Sequence, residues 1–343
     1  MTVRQVNRQW LLARRPQGAL TPEDFKYNEA PIPKPGPGDV LVRTLYFGYD
    51  ASQRIYLTDE GGYMPPVMPG DPIRCMGIGQ VVESTDPGYK KGDLVDGFMT
   101  WEDYVIARGD GSMPLRVLPN ADYPLTWNLG VFGVSGLTAY FGVTDGLKVT
   151  TGDVVVISAA TGATGSLAGG IAKACGARLV IGIAGGPEKC KWIVEKAGYD
   201  VAIDYKSEDV GKRLRELCPE GVTAYFDNVG GEILDTLLLH MAPKGRILIC
   251  GAMSSGYHDT RIPGPHNYMR ICTHQLTVQG ILLFFYRDRL QEGAMHLAQW
   301  VQEGKLHVEE NIHEGFDKAP SLLPSLFTGK SPGKMILKVA DPE

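Results

Sequence analysis

From about residue 125 onward, apolar runs of strand length alternate with runs of helix length. That alternation constrains the fold of this 343-residue chain more than any other feature. The strand candidates are Val154 to Ser158, Leu179 to Ile183, Val201 to Ile203, Ala224 to Asp227, Arg246 to Cys250 and Val278 to Leu283. Helix candidates lie between them, among them Ser166 to Cys175 and Lys189 to Ala197. Strands separated by helices predict a parallel sheet with crossover helices, because a parallel connection must span the sheet. Six such strands in succession match a doubly wound sheet.

Before residue 125 the chain reads as strand and turn. The rigid stretch Pro31 to Asp39 leads into Val40-Leu41-Val42-Arg43-Thr44, followed by Gly79 to Ser84 and Lys91 to Gly97. Short strands punctuated by Gly and Pro predict a partly open barrel. The 43 glycines sit singly or in pairs between apolar segments, so they mark tight turns and exclude collagen, coiled coil and disorder. An amphipathic helix at Leu290 to Gly304 precedes the strand-like Met335 to Val339, which is expected to return to the first domain. The expected division is a catalytic domain of residues 1–125 and 311–343 and a nucleotide domain of residues 126–310.

Charge and cysteine narrow the function. With 34 basic against 39 acidic residues the net charge is −5, which argues against nucleic acid or an anionic membrane as partner. No run approaches the roughly 18 apolar residues of a membrane span, and no signal-like segment opens the chain, so the expected location is cytoplasmic. The six cysteines include no close pair, and the seven histidines form no His-Glu-x-x-His pattern. A structural zinc lobe is therefore not expected, and scattered cysteines fit a reduced compartment.

The first strand of the alternating region runs into Ala159-Ala160-Thr161-Gly162-Ala163-Thr164-Gly165-Ser166. This is a glycine-rich turn between strand and helix, the context a dinucleotide site requires. Gly162 lets the backbone approach a pyrophosphate, Gly165 lets the helix pack closely, and the helix N-terminus offers free N–H groups. At the end of the second strand, where an NAD site has a carboxylate for the ribose 2′-OH, stand Ala184, Gly185 and Gly186, with Lys189 following. Small residues leave room for a 2′-phosphate and Lys189 can neutralise it, so NADPH is the expected cofactor. Glu188 is the competing reading, as a ribose acceptor.

These residues bring a family into view. Asn7-Arg8-Gln9, Pro37 to Val42, Gly136-Leu137-Thr138-Ala139-Tyr140, Tyr225 to Gly231, Ile249 to Ala252, Val278 to Ile281 and Gly333-Lys334 together resemble the zinc-independent medium-chain dehydrogenase/reductases. Within them the chain is similar to the NADPH-dependent double-bond reductases: prostaglandin, alkenal and curcumin reductases. The resemblance implies a GroES-like catalytic domain beside a Rossmann domain, and a homodimer. It implies that Gly162, Ala163, Thr164 and Gly165 hold the pyrophosphate, and that Lys189 and Tyr205 hold the 2′-phosphate beside Gly185. Asn228 would lie by the ribose, Cys250 by the nicotinamide ribose, and Ile281, Leu282 and Leu283 by the carboxamide. Ser331, which replaces an asparagine of the family, would contact cofactor. The zinc relatives carry Gly-His-Glu where this chain reads Gly70 to Gly77, leaving Cys75 without partner ligands.

Without a metal, hydride must reach a carbon that is already electrophilic, such as the β-carbon of an enone or enal. Charge then develops on the carbonyl oxygen and needs a donor. The resemblance puts a tyrosine shortly after Cys250-Gly251-Ala252, which here is Tyr257, in a run one residue longer than usual. A substrate-facing tyrosine of the family is replaced by Ser52; Tyr46, Tyr49 and Tyr56 stand nearby, and Ser52, Tyr49 and Tyr257 are the expected substrate contacts. Tyr63, Phe98, Trp101, Tyr268, Phe284, Phe285 and Tyr286 are candidates for an apolar pocket. The expected activity is reduction of a conjugated C=C bond. A quinone oxidoreductase and a non-catalytic NADPH-binding protein are the alternatives.

Overall fold

In the computed structural model, residues 6–60, 62–108, 115–258, 262–329 and 332–343 are described. The early part supplies β1 (Val6–Leu12), β2 (Phe25–Pro31), β3 (Asp39–Gly48), β4 (Arg74–Ser84), β5 (Leu94–Thr100), β6 (Tyr104–Arg108) and β7 (Arg116–Val117). The alternating part supplies β8 (Val154–Ser158), β9 (Leu179–Ala184), β10 (Val201–Asp204), β11 (Val222–Asp227), β12 (Met241–Ile249) and β13 (Thr277–Gly280). The tail adds β14 (Glu310–Glu314) and β15 (Lys334–Lys338).

Strands β8 to β13 form one parallel sheet in the order β10-β9-β8-β11-β12-β13, the doubly wound arrangement expected from the alternation. β8 shows why so short a strand is stable. Val154 and Val156 enter the core on one face of the sheet, and Val155 and Ile157 enter the core on the other. A strand covered on both faces needs apolar residues at every position, not at alternate ones. The order reverses beside β8, so the strand ends there open a crevice.

The second sheet has the order β14-β15-β3-β4-β5-β7, with β6 joined to β3. It is antiparallel except for the β14–β15 pair, and its path runs open from β14 to β7. The tail does return, through β15 against β3. Its core holds Phe47, Tyr49, Trp101, Phe316 and Leu337, so Trp101 belongs to this core. Several boundaries differ from the sequence reading: β11 and β12 start earlier, at Val222 and Met241, the helix read from Lys189 spans Pro187–Glu195, and two further differences fall at the cleft. The helix after β8 is Ala163–Ala174, starting three residues early, so Ala163, Thr164 and Gly165 form its first turn. β13 stops at Gly280; Ile281 still donates to the Ile249 carbonyl at 3.1 Å, and the chain then coils as a 3-10 turn, Leu283–Arg289, that buries Leu283.

Candidate active site

Between the two sheets lies a cleft of about 1780 Å³, bordered by the C-terminal ends of β8, β9, β10, β11 and β12 and by the Tyr49–Tyr56 turn after β3. One end is the glycine loop. The N-cap residue of the helix Ala163–Ala174 is Gly162, which has no side chain to cap it, and among the described residues the N–H groups of its first turn have no partner beside the cleft. Gly165 is needed for this geometry, since a Cβ there would lie 2.3 Å from the Ala159 carbonyl oxygen. Gly165→Ala should lower stability by about 1–3 kcal/mol, measurable as a drop in the thermal unfolding midpoint; an unchanged midpoint would contradict this packing. The tail meets the same loop, where Gly333 donates its N–H to Thr161 at 2.9 Å.

At the ends of β9 and β10 the cleft is bordered by Gly185, Lys189, Tyr205 and Lys206. A Cβ on Gly185 would meet the Tyr205 ring at 2.8 Å and the Lys206 side chain at 3.0 Å, so the glycine makes room for both. Burial, and then the neighbouring Lys206, lowers the pKa of Lys189, whose ammonium donates to the Gly329 carbonyl. Two adjacent cations favour an anion between them. Lys206 escaped the sequence reading, yet a signal existed: β10 lies next to β9, so the residues after each strand share one rim. Asp204, at the end of β10, is occupied by the Gly186 and Lys206 amides and the Ser207 hydroxyl. Glu188 is exposed and does not line the cleft, which leaves the ribose-acceptor reading without support.

Asn228, at the end of β11, donates its side-chain amide to the Ser158 carbonyl at 2.8 Å and ties β11 to β8. Its neighbour Asp227 is buried and accepts from Ser158, Tyr225, Val229 and Gly230. Cys250 borders the cleft, and burial pushes its thiol up to about 12. Ile281, Leu282 and Leu283 line the same wall. Ser331 lies outside the described residues.

Tyr257 also lines the cleft, with φ at +54° directly after Gly256 at +62°. Two consecutive residues of this loop are thus left-handed. Such a conformation costs a non-glycine residue of the order of 1 kcal/mol and needs support. The Ala252 N–H donates to the Tyr257 phenol oxygen at 2.8 Å, and the Tyr257 N–H donates to Ser255 Oγ at 3.1 Å. Burial pushes this phenol up to about 12, so it keeps its proton at neutral pH. With its oxygen already accepting, that proton is left to donate.

Across the cleft, Ser52 lines the wall with Tyr56 and Tyr63. Tyr49 borders the cleft but is buried and gives its hydroxyl to the Ala319 carbonyl at 3.2 Å. Phe98 stacks on Phe284 at 6.4 Å, and Tyr63 meets Phe284 edge-on at 5.8 Å, so rings from both sides of the cleft close one apolar wall. Phe285 and Tyr268 point to solvent, and Tyr286 packs on Phe141. Among the described residues no group of three or more His, Cys, Asp or Glu could hold a metal ion.

Comparison with known proteins agrees with this geometry. A family model described as the N-terminal domain of oxidoreductase matches residues 8–115, and one described as zinc-binding dehydrogenase matches residues 163–300. The NADPH-dependent curcumin reductase of Escherichia coli is 38% identical, with 98% of each chain covered. The chain belongs to the NADPH-dependent double-bond reductases of the medium-chain dehydrogenase/reductases. An NADP⁺-dependent 2-alkenal reductase of Nicotiana tabacum is 36% identical, over 89% of this chain and 88% of its own. The crystal structure of CurA from Vibrio vulnificus in complex with NADPH is 35% identical and superposes with a TM-score of 0.90, covering 98% of this chain and all of the other.

Proposed function

We propose that this enzyme reduces the C=C bond of α,β-unsaturated ketones and aldehydes with NADPH. One observation carries the reading: a single cleft joins an uncapped helix start and a two-lysine rim to an apolar chamber with a proton-bearing phenol. The residues fit the cofactor, with Gly162 to Gly165 for its pyrophosphate, Lys189, Tyr205 and Lys206 around Gly185 for its 2′-phosphate, and Asn228, Cys250 and Ile281 to Leu283 toward the nicotinamide half. NADPH, when bound, supplies hydride. Tyr257 donates to the substrate carbonyl oxygen as charge gathers there. Ser52 borders the same chamber, and the stacked Phe98 and Phe284 give it an apolar wall. The α-carbon then takes a proton from water.

On this reading the chemistry needs no metal, since a conjugated carbonyl already makes the β-carbon electrophilic; Cys75 is buried, and among the described residues it belongs to no group of three or more potential ligands. Two coarser features extend the reading. The outer side of β13 is an exposed sheet edge, with Val278 also exposed, which supports a homodimer formed through the nucleotide sheet. The cysteines are free, and among the described residues no helix is long and apolar enough to cross a membrane; both fit a cytoplasmic enzyme.

The test is incubation with NADPH and a small enone, such as 4-phenylbut-3-en-2-one, in the presence of a chelator. NADPH consumption with one equivalent of saturated ketone is expected. No consumption with any enone, enal or quinone would overturn the enzymatic reading, and consumption that disappears with chelator would overturn the metal-free one.

A further inference from the structure

The hydroxyl oxygens of Tyr56 and Tyr63 lie 2.9 Å apart, with the rings edge to face at 5.7 Å. Tyr56 is buried, so its proton must find a partner inside the protein. Its hydroxyl neighbours are those of Tyr63 and Ser52. Burial raises both phenols above the ordinary tyrosine range, so both stay protonated. The simplest arrangement has Tyr56 donating to the Tyr63 oxygen and Ser52 donating to the pair. Among the described residues the proton of Tyr63 then has no acceptor, and Tyr63 lines the cleft. Phe284, edge-on at 5.8 Å, holds its ring in place.

Tyr257 faces the same cleft from the other sheet and is arranged in the same way, its oxygen accepting from the Ala252 N–H and its own proton unspent. Both phenols line the one cleft together with Cys250. We propose that Tyr63 and Tyr257 together form a two-phenol oxyanion cradle, each donating one O–H to the same carbonyl oxygen of the substrate, with Tyr56 and Ser52 positioning Tyr63. This rests on the reading of Tyr257 as the carbonyl donor. Both phenols keep their protons throughout; they stabilise the enolate oxygen while the α-carbon is protonated by water. A donor whose own oxygen accepts a hydrogen bond donates more strongly, which gives the buried Tyr56 a function besides packing.

Tyr63→Phe should lower kcat about 100-fold and leave the NADPH dissociation constant unchanged. It should also weaken binding of a saturated ketone, 4-phenylbutan-2-one, to the NADP⁺-loaded protein about 10-fold by calorimetry. Tyr56→Phe should lower kcat about 5-fold, and that loss should vanish in the Tyr63→Phe background. Wild-type kcat and ketone affinity in Tyr63→Phe would overturn the cradle, and so would an equal Tyr56→Phe loss in both backgrounds, which marks plain packing. Tyr257→Phe measured alongside separates the two readings. If it alone is impaired, only the cradle fails; if it too is unimpaired, the donor reading beneath the cradle has failed.

Discussion

Tyr257→Phe is expected to reduce turnover about 100- to 1000-fold, the range found when one donor to a developing oxyanion is removed. The substitution deletes a single oxygen. It leaves the ring, and the edge-to-face contact with Phe327 at 6.4 Å, in place. The Ala252 N–H loses its acceptor, so a modest stability loss of about 1 kcal/mol accompanies the change. The NADPH dissociation constant should stay near wild type, because this phenol is not among the groups assigned to the cofactor. The pH profile gives a second check. The phenol is pushed up to about 12, so its proton-bearing form persists across the neutral range, and turnover should show no loss from this group below roughly pH 10. Wild-type turnover in the variant would remove Tyr257 from the carbonyl role.

The second large effect concerns cofactor choice. Lys189→Ala should weaken NADPH binding about 10- to 100-fold, the range of one charge-assisted hydrogen bond, while NADH binding changes less than about threefold. Lys206→Ala should act in the same direction, and the double variant should lose most of the preference for NADPH. On the proposed assignment the two lysines would share one phosphate, so their losses are not expected to add simply. Fluorescence titration with each dinucleotide separates the outcomes. Equal losses for NADPH and NADH would contradict the 2′-phosphate assignment.

Much of this architecture was legible in the chain because it is written in local patterns. The fully apolar run Val154 to Ile157 announces a strand covered on both faces, and Gly162 and Gly165 announce the turn that follows it. The return of the tail to the first sheet was also readable, from an apolar run too far along to belong to the nucleotide sheet. Less legible were features set by packing between distant elements. Lys206 meets Lys189 only because β9 and β10 are neighbours. Tyr56 and Tyr63 are seven residues apart and become partners only when the turn after β3 folds back on itself. The left-handed backbone of Tyr257 follows from hydrogen bonds to Ala252 and Ser255 that no periodicity encodes. Glu188 and Lys189 are adjacent in the chain, yet the first faces solvent and the second the cleft, a distinction made by the rotation of a single helix residue.

The central claim is that hydride reaches the β-carbon of a conjugated carbonyl, and isotope transfer tests it directly. Reduction of 4-phenylbut-3-en-2-one with NADPH deuterated at C4 on its transferable face should give saturated ketone with deuterium on the former β-carbon and none on the carbonyl carbon. Deuterium on the carbonyl carbon of an allylic alcohol would contradict the account.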